Sequence, residues 1–225
     1  MATAEERREE LVALFNEVKA CTRCPLHETR TKAVFGAGNA DADLMFVGEA
    51  PGAEEDRQGL PFVGRAGQLL NQMLEEIGLS REDVFIANVL KSRPPGNRDP
   101  QPLEIEACKP YLFEQIRLIE PTVICTLGNF STKLLSGNPA GITRVHGTPQ
   151  VHELGGRTVF LLPIFHPAAA LRTPAVKESL RADFATLPDL LAMGPPVPAE
   201  EPLEEPEDAV ESAAPLPDDQ LDIFG

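Results

Sequence analysis

The 225-residue sequence has no apolar stretch that approaches the roughly 20 residues needed to span a lipid bilayer. Its first residues, Met1 to Arg8, lack the basic-then-apolar order of a secretory signal. No segment repeats along the chain. We therefore expect a soluble globular protein that stays in the reducing cytoplasm, where cysteines serve as ligands or free thiols and do not form disulfides.

Basic residues are absent from the C-terminal part of the chain. From Pro188 onward there are eleven acidic residues, eight of the 22 prolines and no Lys or Arg. Of the formal net charge of −15, only about −4 therefore belongs to residues 1–187. Such a tail cannot offset the entropy cost of ordering, so we expect one domain at 1–187 and a disordered tail at 188–219. A body near neutrality can still present a basic face to nucleic acid.

Four short apolar segments alternate with segments whose apolar residues recur at helical spacing. The predicted strands are residues 44–48, 84–90, 123–127 and 159–165. Strands that are apolar nearly throughout and alternate with helices predict a parallel sheet covered on both faces. We therefore expect a three-layer α/β fold with a central four-stranded parallel sheet flanked by helices.

Two of these strands run directly into turns with reactive side chains. The first is followed by Gly-Glu-Ala-Pro-Gly, which contains Glu49, and the fourth by His-Pro-Ala, which begins with His166. Because ligands of α/β sheets bind at the carboxyl ends of the strands, both side chains can face one small molecule. Asn88 lies on an otherwise apolar strand and needs a partner, since an unpaired buried amide costs roughly 1–3 kcal/mol.

Only four cysteines are present, and they do not form two pairs. Cys21 and Cys24 follow a predicted helix, whereas Cys108 and Cys125 are distant in sequence. The missing second Cys-x-x-Cys argues against a zinc ribbon and is compatible with a four-thiolate iron–sulfur site. Two alternatives remain: a thioredoxin-like redox pair, which normally opens a helix after a strand, and a structural Cys125 in the core.

Several motifs resemble those of the type-4 uracil-DNA glycosylases, iron–sulfur enzymes that remove uracil from DNA. The match runs from about Cys21 to Asp183 and includes Cys-x-x-Cys, Gly-Glu-Ala-Pro-Gly with Glu-Asp following, Leu-Pro-Phe-Val-Gly, an Asn before a Lys-x-Arg-Pro-Pro loop, and His-Pro-Ala. The resemblance implies a Rossmann-like sheet of four parallel strands and a 4Fe-4S cluster beside the DNA-binding face. It also implies a hydrolase of base excision repair that releases uracil and leaves an abasic site.

One position departs from the family pattern. Ser92 stands where the family usually carries a cluster ligand, while Cys21, Cys24 and Cys108 match the other ligands. We expect Cys125 to supply the fourth ligand, since the chain has no other thiol. The alternatives are a serine-oxygen ligand, a three-iron cluster and no cluster.

The resemblance also outlines a uracil pocket. Phe62 resembles the aromatic platform for an extruded base, although core packing is an alternative for this residue. Gly48, Pro51 and the backbone after Glu49 are implied to border the pocket, and Glu55 to stand where the methyl group of thymine would enter.

Three side chains are predicted to recognise the base and break the bond. The Asn88 amide can accept from uracil N3–H and donate to O4, whereas cytosine presents the reverse pattern. His166 is the predicted donor to uracil O2, where negative charge develops. Glu49 is predicted to orient or deprotonate water, or to stabilise the sugar cation. A satisfied structural Asn88 and a solvated Glu49 are the alternatives.

DNA and protein contacts are predicted from further segments. Arg93 and Arg98 are expected to hold phosphates, and Leu171-Arg172 resembles the loop that fills the vacated base stack. Either single- or double-stranded uracil-containing DNA fits these expectations. The C-terminal Gln220–Phe224 resembles the bacterial sliding-clamp-binding motif on a long tether. We expect a monomer with no membrane contact.

A different class of function competes with the enzyme: a non-catalytic iron–sulfur DNA-binding or redox-sensing module on the same fold. The joint presence of Glu49, Asn88 and His166 favours the enzyme. A related glycosylase that traps uracil covalently needs a histidine in the loop at residues 92–99, which has none. A dinucleotide-binding enzyme is disfavoured because the turn after the first strand lacks G-x-G-x-x-G.

Overall fold

The computed structural model describes residues 2–197. The predicted clamp-binding peptide Gln220–Phe224 and the acidic tail from residue 198 onward lie outside the described residues. Within the described range, one mixed sheet contains six strands: β1 Ala37–Gly38, β2 Leu44–Gly48, β3 Phe85–Asn88, β4 Val123–Leu127, β5 Gln150–Leu154 and β6 Arg157–Ile164.

The strand order is β1-β3-β2-β4-β6-β5, and the central four strands run parallel. This confirms the predicted α/β fold with four parallel strands. The prediction missed two antiparallel edge strands, β1 beside β3 and β5 beside β6. β5 and β6 form a hairpin whose two-residue turn, Gly155-Gly156, has positive φ at both positions, as a tight hairpin turn requires.

Helices cover both faces of the sheet. They are α1 Ala4–Ala20, α2 Ala53–Gln58, α3 Arg65–Glu76, α4 Pro102–Ile119, α5 Asn129–Ser136, α6 Ile142–Val145, α7 Pro167–Ala170, α8 Pro174–Ala185 and α9 Leu187–Ala192. Residues of α1, α4 and α5 pack in one apolar core, and residues of α3, α8 and α9 pack in a second core across the sheet. Successive side chains of a strand point to opposite faces, so each central strand contributes to both cores.

The folded region extends past the predicted boundary at residue 187. Leu187 and Leu190 of α9 are buried in the second core, so the helix that contains them continues to Ala192. The boundary was predicted from the acidic composition of the later tail, which gave no sign that Leu190 is buried. None of the helices in residues 2–197 has the length and apolar character that crossing a bilayer requires.

The four parallel strands end at one edge of the sheet. Gly48 at the end of β2 pairs with Asn88 at the end of β3, and Leu127 of β4 pairs with Ile164 of β6. The loops that leave these strands therefore meet above this carboxyl edge, where open α/β sheets bind ligands.

Candidate active site

A cavity of about 400 Å³ opens at the carboxyl edge of the sheet. Its walls come from the loop after β2, from α2 and α3, from the end of β3 and the loop beyond it, and from the start of α7. The lining residues include Glu49, Pro51, Glu55, Phe62, Asn88, Arg98 and His166. The fold thus brings most of the predicted base-contacting residues into one space.

Gly48 lies under the floor of this cavity and permits a close approach of two side chains. A Cβ atom at this position would lie 2.4 Å from Asn88 Oδ1 and 2.8 Å from the Phe62 ring. Any side chain would push these two groups apart. The glycine is therefore required by the close approach of both groups to its backbone, and not by its own φ, which is not positive.

Asn88 holds an unpaired acceptor in the cavity. The residue is 2% exposed, and within residues 2–197 its Oδ1 has no hydrogen-bond partner. Leaving a buried acceptor unpaired costs roughly 1–3 kcal/mol. An N–H group of a ligand would remove this cost.

Phe62 is held in an unusual backbone conformation. Its φ of 50° is in the left-handed region, which costs a non-glycine residue roughly 1–3 kcal/mol. The guanidinium of Arg81 donates to the carbonyls of Phe62 at 2.9 Å and Pro61 at 2.7 Å. Gly67 is also required here, since a Cβ there would lie 1.7 Å from the Phe62 carbonyl oxygen. No sequence motif predicted this role of Arg81.

Glu55 supports the same turn from α2. Its Oε1 accepts the backbone N–H groups of Val63 and Gly64, each at 3.0 Å. The carboxylate therefore fixes the residues that follow Phe62 while it lines the cavity. Its predicted role in excluding the thymine methyl group remains a prediction.

His166 presents a neutral ring with a defined proton position. It is the N-cap of α7, and its Nδ1 accepts the backbone N–H of Ala168 at 3.1 Å. A backbone amide can only donate, so the ring proton is on Nε2. Burial lowers the pKa of His166 to about 4, and the Glu55 carboxylate opposes this shift only in part. The ring lies 5.6 Å from the Phe62 ring, centre to centre.

Glu49 is half-buried on the cavity wall. Burial raises the pKa of its carboxyl group, and the negative charge of Asp99 raises it further. A raised pKa makes the carboxylate a better proton acceptor near neutral pH. The neutral histidine and the basic carboxylate thus share one cavity and are suited to different proton roles.

The predicted phosphate ligands have different settings. Arg98 makes a two-pronged ion pair with the buried Glu104, at 2.5 and 2.9 Å, so its guanidinium already holds the loop against α4. Among the described residues, Arg93 donates to the side chain of Asn97 alone, an uncharged partner. Leu171 is 47% exposed beyond α7, next to the exposed Arg172.

Three thiols share one side of the sheet. Cys24 and Cys108 are buried in the same core, and Cys21 packs against it. Burial raises the pKa of Cys108, the backbone N–H and the charge of Lys91 oppose this shift, and Cys24 and Cys21 add to it. Lys91 donates its backbone N–H to Cys108 Sγ at 3.4 Å, and the next residue, Ser92, is buried and accepts from Arg30 at 3.2 Å.

The prediction that Cys125 joins these thiols is wrong. Its side chain is on the opposite face of the sheet, in the core with Phe46 and Leu162, and is 0% exposed. Burial strongly raises the pKa of this thiol, and its position across the sheet keeps it away from the other three thiols. Of the alternatives that the sequence left open, a structural cysteine in the core is the correct one for Cys125.

The donor set therefore fits an iron–sulfur cluster at three positions, with Ser92 at the position where the resemblance implied a fourth thiol. Within residues 2–197, no three His, Cys, Asp or Glu side chains are arranged to hold a single metal ion. A cluster does not need such convergence, because its thiolates bind different iron atoms. All four cysteines are free thiols.

The neutral, partly buried His166 predicts an acid-sensitive contribution to stability. Its pKa is lower in the folded chain than in the unfolded chain, so its contribution is complete above about pH 6.5 and is lost as the pH falls toward 4. The His166→Gln variant lacks this pH-dependent contribution to stability. We expect the difference in unfolding free energy between wild type and variant to change by up to roughly 3 kcal/mol from pH 7 to pH 4, measured by urea denaturation. If the unfolding free energies of the two proteins changed equally with pH, this would contradict a neutral His166 in the folded chain.

Comparison with known proteins places this site in a family. The model of the uracil DNA glycosylase superfamily matches residues 35–187. A type-4 uracil-DNA glycosylase of Archaeoglobus fulgidus is 46% identical over 186 residues, which cover 81% of this chain and 94% of that protein. The type-4 uracil-DNA glycosylase of Thermotoga maritima is 51% identical over 167 residues, or 73% of this chain and 85% of that protein. The chain therefore belongs to the uracil-DNA glycosylase superfamily, and within it to the type-4 family.

Proposed function

We propose that this protein is a monofunctional uracil-DNA glycosylase that hydrolyses the N-glycosidic bond of deoxyuridine in DNA, releases uracil and leaves an abasic site for base excision repair. The observation that carries the proposal is the unpaired Oδ1 of Asn88, which shares a cavity with an aromatic ring and a neutral imidazole N–H. Family membership supports the same activity.

Base recognition follows from the fixed amide of Asn88. A uracil extruded from the stack lies beside Phe62, with its N3–H at the unpaired Oδ1 and its O4 at the side-chain NH₂. Cytosine would place an acceptor opposite Oδ1 and a donor opposite the NH₂. Both buried polar groups would then lack partners, so the discrimination against cytosine reaches several orders of magnitude.

Bond cleavage uses the two titratable groups in different ways. The electron pair of the bond between C1′ and N1 leaves with uracil, and the growing charge on O2 accepts a hydrogen bond from His166 Nε2–H. A neutral donor of this kind is available throughout the physiological pH range, because the pKa of His166 is about 4. Water adds to C1′, and Glu49, whose pKa is raised, orients it or accepts its proton.

We further propose that Cys21, Cys24 and Cys108 hold a 4Fe-4S cluster at the end of α1 and on α4. When bound, the cluster would cross-link the segment that follows α1 to α4. The free thiols of all four cysteines suit a reducing compartment such as the cytoplasm. No step at the glycosidic bond is assigned to the cluster.

DNA and partner contacts complete the proposal. Arg93, Arg172 and the exposed Leu171 are available to bind DNA around the cavity, whereas Arg98 mainly stabilises the loop. The sequence Gln220–Phe224 is proposed to bind a bacterial sliding clamp, which would keep a monomeric enzyme on DNA.

The activity is tested with end-labelled oligonucleotides that carry one uracil, cytosine or thymine, cleaved with alkali after reaction. We expect wild type to act only at uracil. His166→Ala should slow single-turnover excision about 10²–10³-fold, because the donor to O2 is lost. Asn88→Asp should lower uracil excision by at least roughly 100-fold, since a carboxylate cannot donate to O4.

Asn71→Asp is the matched control for this experiment, because Asn71 lies on α3 and its side-chain oxygen accepts from Arg81. The carboxylate can make the same contact, so this variant should retain excision. A folded wild-type protein that binds uracil-containing DNA without cleaving it would instead favour the non-catalytic module.

Cluster binding is tested by iron and sulfide content after anaerobic purification. Cys108→Ser should lose most of its iron, whereas Cys125→Ser, an identical change at another buried position, should retain it. Ser92→Cys should slow the loss of iron to a chelator, since it adds a fourth thiol beside Cys108. Loss of iron from the Cys125 variant alone would overturn this ligand set.

Clamp binding is tested by surface plasmon resonance with an immobilised bacterial sliding clamp. We expect the full chain to bind and the double variant Leu221→Ala, Phe224→Ala to lose binding at least roughly 10-fold, because the apolar anchors of a docking peptide carry most of its affinity. Equal binding by both proteins would exclude the peptide as the docking site.

A further inference from the structure

Lys91 is buried beneath the cavity at the end of β3. The residue is 2% exposed, and its ammonium group donates to three oxygens: Gln115 Oε1 at 2.6 Å, the Asn88 carbonyl at 2.8 Å and the Phe35 carbonyl at 3.2 Å. Gln115 is fully buried and also donates to the Phe35 carbonyl, at 2.9 Å. All three ammonium protons are therefore used, and each acceptor is uncharged.

Within residues 2–197 this buried ammonium has no carboxylate partner, and such an arrangement is costly. Its desolvation costs several kcal/mol, and hydrogen bonds to neutral oxygens return only part of this cost. A methionine of similar length would fill the space without placing a charge in the core. The contacts of Lys91 are therefore better explained by the groups that it holds than by packing alone.

The turn after β3 shows what the side chain holds. The chain leaves the sheet after Asn88, and the next two amides donate to the carbonyls of Gly48 and Glu49, at 2.9 and 3.0 Å. The ammonium then reaches back three residues to the Asn88 carbonyl and closes the turn. The backbone N–H of Lys91 meanwhile contacts Cys108 Sγ at 3.4 Å.

We propose that Lys91 is a positioning residue for base recognition, and that it links the thiol side of the sheet to the uracil pocket through the backbone of Asn88. This inference rests on the proposed uracil-excision function. By fixing the Asn88 carbonyl, the ammonium holds the Asn88 side chain at the point where Gly48 and Phe62 leave it room. Gln115 accepts from the same ammonium, but the contacts of Lys91 with the Asn88 and Phe35 carbonyls do not depend on it, and Gln115 has no hydrogen bond of its own to Asn88.

The inference is tested by a double-mutant cycle of Lys91→Met and Asn88→Ala, with single-turnover excision of uracil and the dissociation constant of free uracil as readouts. Lys91→Met should weaken both by about 10-fold in the wild-type background, within the range of coupling between neighbouring residues. In the Asn88→Ala background the same change should have less than about a 2-fold effect, because the group that Lys91 positions is already gone.

Gln115→Met is the matched control, since it removes a buried polar group from the same network and keeps the contact of Lys91 with Asn88. It should lower the unfolding free energy but change uracil binding less than about 2-fold. Lys91→Gln, with a shorter donor, replaces Lys91→Met in the cycle if the methionine variant does not fold.

Two failures are distinguishable. A wild type without uracil excision would refute the proposed function itself. An active wild type in which Lys91→Met has the same effect with and without Asn88, or in which Gln115→Met matches Lys91→Met, would overturn the positioning role and leave Lys91 a general stabiliser of the core.

Discussion

The candidate site depends on the close approach of Asn88 and Phe62 to the backbone of Gly48. Any side chain larger than hydrogen at this position would displace both groups, and each group is held by a different part of the chain. Lys91 fixes the backbone of Asn88, while Arg81 and Glu55 fix the strained turn that carries Phe62. A flat base can then meet an amide edge and an aromatic ring at once, without reorganisation of the protein.

Burial sets the proton chemistry of the cavity. It keeps His166 neutral by lowering its pKa and makes Glu49 more basic by raising its pKa, so desolvation moves both groups toward their uncharged forms. The backbone N–H of Ala168 then decides which ring nitrogen of the histidine carries the proton. One physical effect and one hydrogen bond together produce a neutral donor beside a basic carboxylate.

The sheet also separates the cysteines by face. A strand alternates its side chains between faces, and Cys125 points to the face opposite the other three thiols. Counting cysteines predicted four ligands, because a count carries no information about faces. Cys24 and Cys108 lie in one core because α4 packs against the N-terminal segment, which is far away in the sequence.

The sequence by itself determined the alternation of apolar strands and helices, the parallel direction of the four strands that follows from it, and the reactive turns at residues 48–52 and 166–168. These features depend on local pattern and on the rule that parallel strands share a carboxyl edge. Only the tertiary structure decided the edge strands, the burial of α9, the exclusion of Cys125, and the roles of Arg81 and Lys91. Each of these depends on contacts between segments that are distant in the sequence. An Arg or Lys can be an exposed surface charge or a buried hydrogen-bond donor, and the local sequence does not distinguish the two.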